Sequence, residues 1–220
     1  LIPLVQARRR VILVGDHRQL PAIYDESVAR GLPQSDLLAE CLFERLFHHL
    51  KHQDVVTGVQ RTITLDRQFR MHPRLGSFVS RVFYEPHGEQ IENGATSAQL
   101  RHDVDAFRHR TSVWIDVPAK EGKAVRSTRR SWSRMAEADK VAAIVSEIVH
   151  GHPDLSVGGI TFYSDQRDLI LERLADDLTE RNPGSATTVR PEFATRMRDG
   201  IHPEERLRIG TVDAFQGKEF

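Results

Sequence analysis

Short apolar runs alternate along this chain with stretches whose apolar residues recur every three or four positions, a pattern that predicts strands interleaved with helices. Residues 11–14 form a continuous apolar run closed by Gly15 and Asp16, which predicts a buried parallel strand. In 36–50 the apolar residues fall at 37, 38, 42, 43, 46, 47 and 50, the face of a helix. Residues 59–65 alternate imperfectly and are expected to hold a strand leading towards Arg70. Pro73 suits a first helical turn, and Leu75, Phe78, Val79, Val82 and Phe83 then trace one side of a helix. Residues 88–110 are polar and show no period.

The second half repeats the theme. Residues 113–117 read as a strand that Pro118 ends. A basic, apolar-poor loop follows at 118–134, carrying Lys120, Lys123, Arg126, Arg129, Arg130 and Arg134 around Trp132. The helical period returns at 136–149, a strand is expected at 159–163, and a helix at about 165–181. Residues 182–206 read as a loop or insertion, and 208–212 as the last strand. Strands alternating with helices from end to end make an α/β parallel sheet covered on both faces the economical architecture.

Composition changes this picture little. At 220 residues the chain is long enough for one large domain or one and a half smaller ones, and 39% hydrophobic residues suffice for a packed core. Lys and Arg number 31, as do Asp and Glu, so net charge neither favours nor excludes a nucleic-acid partner and local clustering must decide. The single cysteine, Cys41, excludes an internal disulfide framework and a multi-cysteine zinc site, and fits a reducing, cytoplasmic setting. No apolar run approaches the roughly 20 residues that cross a bilayer, and the first ten residues lack the layout of a signal peptide. The chain starts without methionine and stops directly after a glycine loop, so it reads as a piece of a longer protein.

Four segments lie where an α/β sheet presents groups to a ligand, beside the ends of strands. Gly15-Asp16-His17-Arg18-Gln19-Leu20-Pro21 offers a glycine turn, a carboxylate and an amide. Alone it reads either as a tight turn with Asp16 capping a helix or as a sensor in which Gln19 meets a terminal phosphate or its attacking water. In Gln68-Phe69-Arg70-Met71-His72-Pro73, Arg70 brings a permanently charged, planar set of donors suited to a transferring phosphoryl group, and Phe69 a face for a base. An ordinary ion pair and a core phenylalanine are the plain alternative, and His72 reads as a structural histidine. Thr161-Phe162-Tyr163 and Gly210-Thr211-Val212-Asp213-Ala214-Phe215-Gln216-Gly217-Lys218-Glu219 complete the set. Amides near Gly217 can approach a phosphate, and Glu219 can accept from a ribose hydroxyl. No segment matches the phosphate-cradling G-x-x-x-x-G-K-[ST] loop, so this stretch cannot bind and hydrolyse a nucleoside triphosphate unaided. The basic loop holds cations for phosphates and an aromatic for stacking, the ingredients of a nucleic-acid contact as well as of a solvated surface.

In their order and combination these segments resemble superfamily 1 helicases of the branch related to the nonsense-mediated-decay RNA helicase. That group shows G-D-x-x-Q-L-P, x-Y-R-M-H-P, T-P-Y and V-D-A-F-Q-G-x-E segments in this sequence order, and the match spans nearly the whole chain. The resemblance implies P-loop NTPase architecture: two RecA-like domains with ATP and Mg²⁺ clamped between them and single-stranded DNA or RNA across their tops. Residues 1–62 would end the first domain and 63–220 make up most of the second. Gln19 and Arg70 would be catalytic, as phosphate sensor and arginine finger. Asp16, Phe69, Gly217, Lys218 and Glu219 would bind the nucleotide, and Thr161, Tyr163 and Thr211 the nucleic-acid backbone. Magnesium ligands would lie mostly upstream. Two departures stand out: Phe69 replaces the usual tyrosine and Phe162 the usual proline. The implied activity is an ATP-dependent helicase, acting as a monomeric motor with 5′ to 3′ polarity. An ATP-gated clamp that does not unwind and a non-catalytic binding remnant are the alternatives.

Overall fold

The computed structural model describes residues 6–19, 42–181, 184, 186–198 and 200–217, and these fall into two compact units. One takes the residues up to Phe69 together with Gly76–Gly94; the other takes Arg70–Leu75 and the chain from Ala95 onward.

In the first unit, helix α1 (Leu42–Thr57) lays Phe43 and Phe47 against the Gly15–His17 turn. A Cβ on Gly15 would meet the Phe43 ring at 3.3 Å, and the His17 ring stacks on Phe47 with centroids 5.1 Å apart. The helix ends at Gly58, whose φ of 68° is the left-handed conformation glycine adopts without penalty. Asp54 then folds the chain back: its carboxylate accepts from the Arg61 and Thr62 amides and the Thr62 hydroxyl. Those amides are therefore lost to any ladder, and the strand expected at 59–65 does not form. Two-residue strands β1 (Arg67–Gln68) and β2 (Glu92–Asn93) pair in parallel, extended by Glu92 N–H to Asp66 C=O and Gly94 N–H to Gln68 C=O. Between them run helix α2 (Pro73–Val79), a π-helical turn (Ser80–Tyr84) and a 3₁₀ turn (Glu85–His87). Pro73 opens α2 as expected.

The second unit holds the described core. A short antiparallel hairpin, β3 (Val125–Arg126) with β4 (Trp132–Ser133), precedes the long helix α3 (Met135–Gly151). Strand β5 (Val157–Thr161), helix α4 (Ser164–Arg173), and the small pair β6 (Thr179–Glu180) and β7 (Thr188–Val189) come next. After the turn of helix α5 (Pro191–Ala194), β8 (Thr195–Arg198) and β9 (His202–Glu205) form a hairpin. Strand β10 (Leu207–Thr211) and the one-turn helix α6 (Val212–Phe215) close the described chain.

Strands β5 and β10 pair in parallel over five residues, Val157 with Leu207 through Thr161 with Thr211. Because side chains alternate, the Leu207 and Ile209 face meets Ala138, Ala142, Val145 and Val149 of α3, Ile170 and Leu171 of α4, and Leu174 and Leu178 beyond it. Small alanines on α3 let that helix approach closely. Gly159 makes room for Ile209, whose Cδ1 lies 2.5 Å from where a Cβ would stand. The opposite face carries Gly210, against which the Phe215 ring of α6 rests, and Arg208, whose guanidinium lies 5.7 Å from that ring. Helices thus lie on both faces of the parallel pair, the α/β arrangement expected.

Besides the missing strand at 59–65, the helix expected at about 165–181 ends at Arg173 and gives way to β6, and three further local readings differ. Residues 11–14 form no strand among the described residues, and Ile12 and Val14 are 89% and 87% exposed. No described strand pairs with them, and a buried parallel strand needs neighbours to take its amides and cover its side chains. Residues 113–117 are also irregular, with Trp114 90% exposed; the Val117 carbonyl is taken by the Arg134 guanidinium instead of a ladder. Conversely, the loop expected at 182–206 contains β7, α5 and the β8–β9 hairpin. That hairpin is held by cross-strand polar pairs such as Arg196 with Glu204, so it leaves no apolar period in the sequence.

Candidate functional site

The Gly15–Gln19 turn is organised around one carboxylate. Asp16 Oδ1 accepts the Arg18 amide at 2.9 Å, while Oδ2 accepts the Tyr84 hydroxyl at 2.6 Å and Gln19 Nε2 at 3.0 Å. Burial pushes the Asp16 carboxyl up, but the bond from Tyr84, then those from the Arg18 amide and Gln19, and the His17 charge, outweigh it and hold the group below the usual carboxylate range. Burial and the adjoining Asp16 raise the Tyr84 phenol, which keeps it a donor. An ionised carboxylate accepts only, so Gln19 must present its NH₂ to Asp16. That leaves the second amide hydrogen and the carbonyl Oε1 without partners among the described residues, a donor and an acceptor fixed in place. The turn is anchored further by His17 to Glu89 at 3.0 Å and by Arg18 to Glu89 and Glu44 at 3.4 and 3.7 Å.

Tyr84 was not visible as a site residue in the sequence, yet it is what fixes Asp16. Tyr84→Phe is expected to cost about 1.5 kcal/mol, the low end for a bond to a charged group because Asp16 is half-buried, measured by chemical denaturation. The pH sign follows from the depressed Asp16 value. Its contribution to stability is present above the unfolded carboxylate pKa and is lost as pH falls through the folded one. In Tyr84→Phe the folded value moves back towards the unfolded one, so the loss begins at the same pH but is smaller and is complete at a higher pH.

Phe69 follows β1 and is 63% exposed, with one edge of its ring occupying the space that a Cβ on Gly94 would fill, at 2.3 Å. The aromatic is thus seated on backbone with most of its surface open. Behind it, Gln68 Nε2 donates to Asn93 Oδ1 at 2.7 Å, and Gly76 packs so closely on this pair that a Cβ would stand 2.0 Å from that oxygen. Arg70, in the second unit, is exposed in the bend before α2. His72 caps that helix: its Nδ1 accepts the Arg74 amide at 3.2 Å, the structural role anticipated.

Thr161 and Thr211 are register partners at the carboxyl ends of neighbouring parallel strands, so their side chains share a face. Thr161 Oγ1 also accepts the Tyr163 amide at 3.4 Å, and Tyr163 precedes the first turn of α4. The structure therefore brings these three candidate residues together. Gly217 has φ of 75° and, among the described residues, nothing within 4 Å of a Cβ position. Lys218 and Glu219 lie outside the described residues. Among the described residues no group of three His, Cys, Asp or Glu side chains is placed to hold a metal ion, and no helix is long and apolar enough to cross a membrane.

Two further residues escaped the sequence reading. Gln166, buried in α4, accepts the Arg134 amide at 2.6 Å and donates to the Arg134 carbonyl at 3.3 Å. The Arg134 guanidinium in turn donates to the carbonyls of Gly122, Val117 and Pro118. A lone glutamine in a first helical turn and one arginine among several carried no signal that set them apart.

Residues 38–220 match the family model described as an AAA domain. The chain belongs to this AAA-domain family. Over its whole length it is similar to "Regulator of nonsense transcripts 1 homolog" of Neurospora crassa, 33% identical over 228 residues, which make up 17% of that protein. It is likewise similar to "ATP-dependent helicase upf1" of Schizosaccharomyces pombe, 30% identical over 229 residues, and to "Helicase sen1" of the same organism, 27% identical over 225. All of this chain aligns in both cases, to 20% and 11% of the relative respectively. The AAA-domain chain is thus similar, end to end, to helicases of the nonsense-mediated-decay type, while it spans only 11–23% of the length of the curated relatives it matches. Its α/β arrangement is that of the RecA-like class.

Proposed function

We propose that this chain supplies the second half of the ATP site and part of the single-strand track of an ATP-dependent DNA or RNA helicase. The observation that carries the reading is the end-to-end similarity to proteins named as helicases, joined to Thr161 and Thr211 standing side by side at the ends of paired strands. The residues present suit a nucleotide. Gln19 holds a fixed amide, Phe69 an open aromatic face seated on Gly94, and Gly217 a left-handed backbone turn. ATP, when bound with Mg²⁺, supplies the phosphoanhydride bond whose cleavage drives movement. On this reading Gln19 senses the terminal phosphate and Arg70 neutralises its charge. Phe69 stacks on the base, while Asp16, Gly217, Lys218 and Glu219 border the nucleotide. Thr161, Tyr163 and Thr211 face the nucleic-acid backbone. Residues 1–62 belong to the first RecA-like domain and 63–220 to the second, and the protein works as a cytoplasmic monomer moving 5′ to 3′.

The test is ATP hydrolysis by the full-length protein with and without single-stranded DNA or RNA, paired with strand displacement. Stimulated hydrolysis with displacement is expected. Hydrolysis without displacement favours a clamp, and neither activity overturns the reading in favour of a binding remnant. Within it, Phe69→Ala should weaken nucleotide affinity by about 5- to 150-fold, the loss of roughly 1–3 kcal/mol of base stacking. Gly94→Ala should weaken it in the same direction, because the added methyl displaces the Phe69 ring; fluorescent-nucleotide titration measures both.

A further inference from the structure

The basic stretch that the sequence left as a loop is a folded, fastened element. Ser127 and Ser131 close the β3–β4 turn through Ser127 N–H to Ser131 C=O at 2.9 Å, and Arg130 sits there at φ of 63°. The Arg134 guanidinium gathers the carbonyls of Val117, Pro118 and Gly122 at 2.7–2.9 Å, which ties the preceding loop to the base of the hairpin. The hairpin is then bonded to the first turn of α4. Ser131 Oγ accepts the Asp165 amide at 3.0 Å and meets Ser164 Oγ at 3.3 Å, and Gln166 brackets the Arg134 backbone. That turn begins directly after Thr161, Phe162 and Tyr163.

The cations on this element divide into two groups. Arg129 is spent on structure, pairing with Asp165 at 2.7 Å and Asp168 at 3.7 Å. Lys120, Lys123, Arg126 and Arg130 are exposed and have no carboxylate partner among the described residues; Arg126 lies instead over Trp132, 5.8 Å from its ring. Glu121 is the one acidic residue in 117–134. Four uncompensated cations on a rigid support repel one another, and an anion of regularly spaced charge relieves that repulsion. Exposed Phe162, Tyr163 and Trp132 add flat apolar faces beside them, which suit bases and have no use for a simple acidic peptide.

We propose that the β3–β4 hairpin and the loop at 117–123 form a second part of the single-strand track, in which Lys120, Lys123, Arg126 and Arg130 bind the phosphates of a strand that continues from Thr161 and Tyr163. This rests on the nucleic-acid reading of those two residues. The track lengthens the bound strand without reading its sequence, since phosphate contacts position and do not specify.

The test measures binding of labelled oligo(dT) and oligo(U) to the full-length protein by anisotropy across a salt series. In the triple variant Lys120→Ala/Lys123→Ala/Arg130→Ala, affinity should fall and the slope of log K against log salt should shrink by about 2, from roughly 0.7 per lost contact on a single strand. The charge-keeping variant Lys120→Arg/Lys123→Arg/Arg130→Lys should retain the slope, and thermal midpoints should match the unaltered protein. An unchanged slope in the alanine variant, with the unaltered protein binding normally, overturns the proposal and leaves Thr161 and Tyr163 standing. Failure of the unaltered protein to bind either oligonucleotide overturns both. A loss confined to phosphatidylserine vesicles overturns the track in favour of a membrane surface.

Discussion

Alanine in place of Arg70 is expected to lower nucleic-acid-stimulated ATP hydrolysis by the full-length protein about 10³-fold or more, with nucleotide affinity little changed. A guanidinium that meets charge developing on a transferring phosphoryl group acts on the transition state and hardly at all on the ground state. Loss of such an arginine elsewhere costs about 10³- to 10⁵-fold in turnover. Lysine at the position should recover little, because a point charge cannot reproduce the planar fork of donors. The local structure suits the role. Arg70 is the second residue after the β1 strand and precedes a helix start that Pro73 and the His72 cap fix in place. Single-turnover kinetics beside fluorescent-nucleotide binding separates chemistry from affinity. Near-normal turnover in this variant would remove the arginine-finger assignment.

Leu178→Ala carries the largest expected effect on stability. Leu178 is 0% exposed, seated among Ala138, Val145, Leu174 and Leu207 in the cluster that joins α3 and α4 to β10. Its backbone is also committed, with N–H to Ala175 C=O at 2.9 Å and C=O accepting Arg190 N–H at 3.0 Å, so the chain cannot readily collapse into the space vacated. A cost of about 2–5 kcal/mol is expected, which for a domain of this size lowers the melting temperature by the order of 10 °C. Calorimetry checks it. A shift within a degree or two would mean that this cluster is not the core of the second unit.

How far the sequence disclosed this molecule depended on where each signal came from. Helix α3 and the strands β5 and β10 were readable because their apolar residues repeat with the period of the element and meet a single core. Segments 11–14 and 59–65 have strand-like composition, but pairing decides a strand: the first has no described partner, and in the second Asp54 captures the amides. The β8–β9 hairpin was hidden for the opposite reason, being stabilised by charges across the strands. At the candidate site, residues whose own side chains are suited to chemistry, such as Gln19, Arg70 and Phe69, could be proposed from type and order. Those that act by holding a neighbour were not. Nothing about Tyr84, Gln166 or Arg134 as residue types announces which carboxylate, amide or carbonyl each will reach across 32–68 positions of chain or within a single loop.

The π-helical turn at Ser80–Tyr84 has a mechanical meaning. Its wide winding, marked by Glu85 N–H reaching back five residues to Ser80 C=O, stores one residue more than an ordinary helical turn would. Excising a single residue there would restore tight winding and leave the chain downstream nearly in phase, because the wide turn and an ordinary one rotate through almost the same angle. Taking out Tyr84 itself would remove the phenol that steadies Asp16, and the amide of Gln19 would lose its brace although no residue of the Gly15–Gln19 turn had been touched.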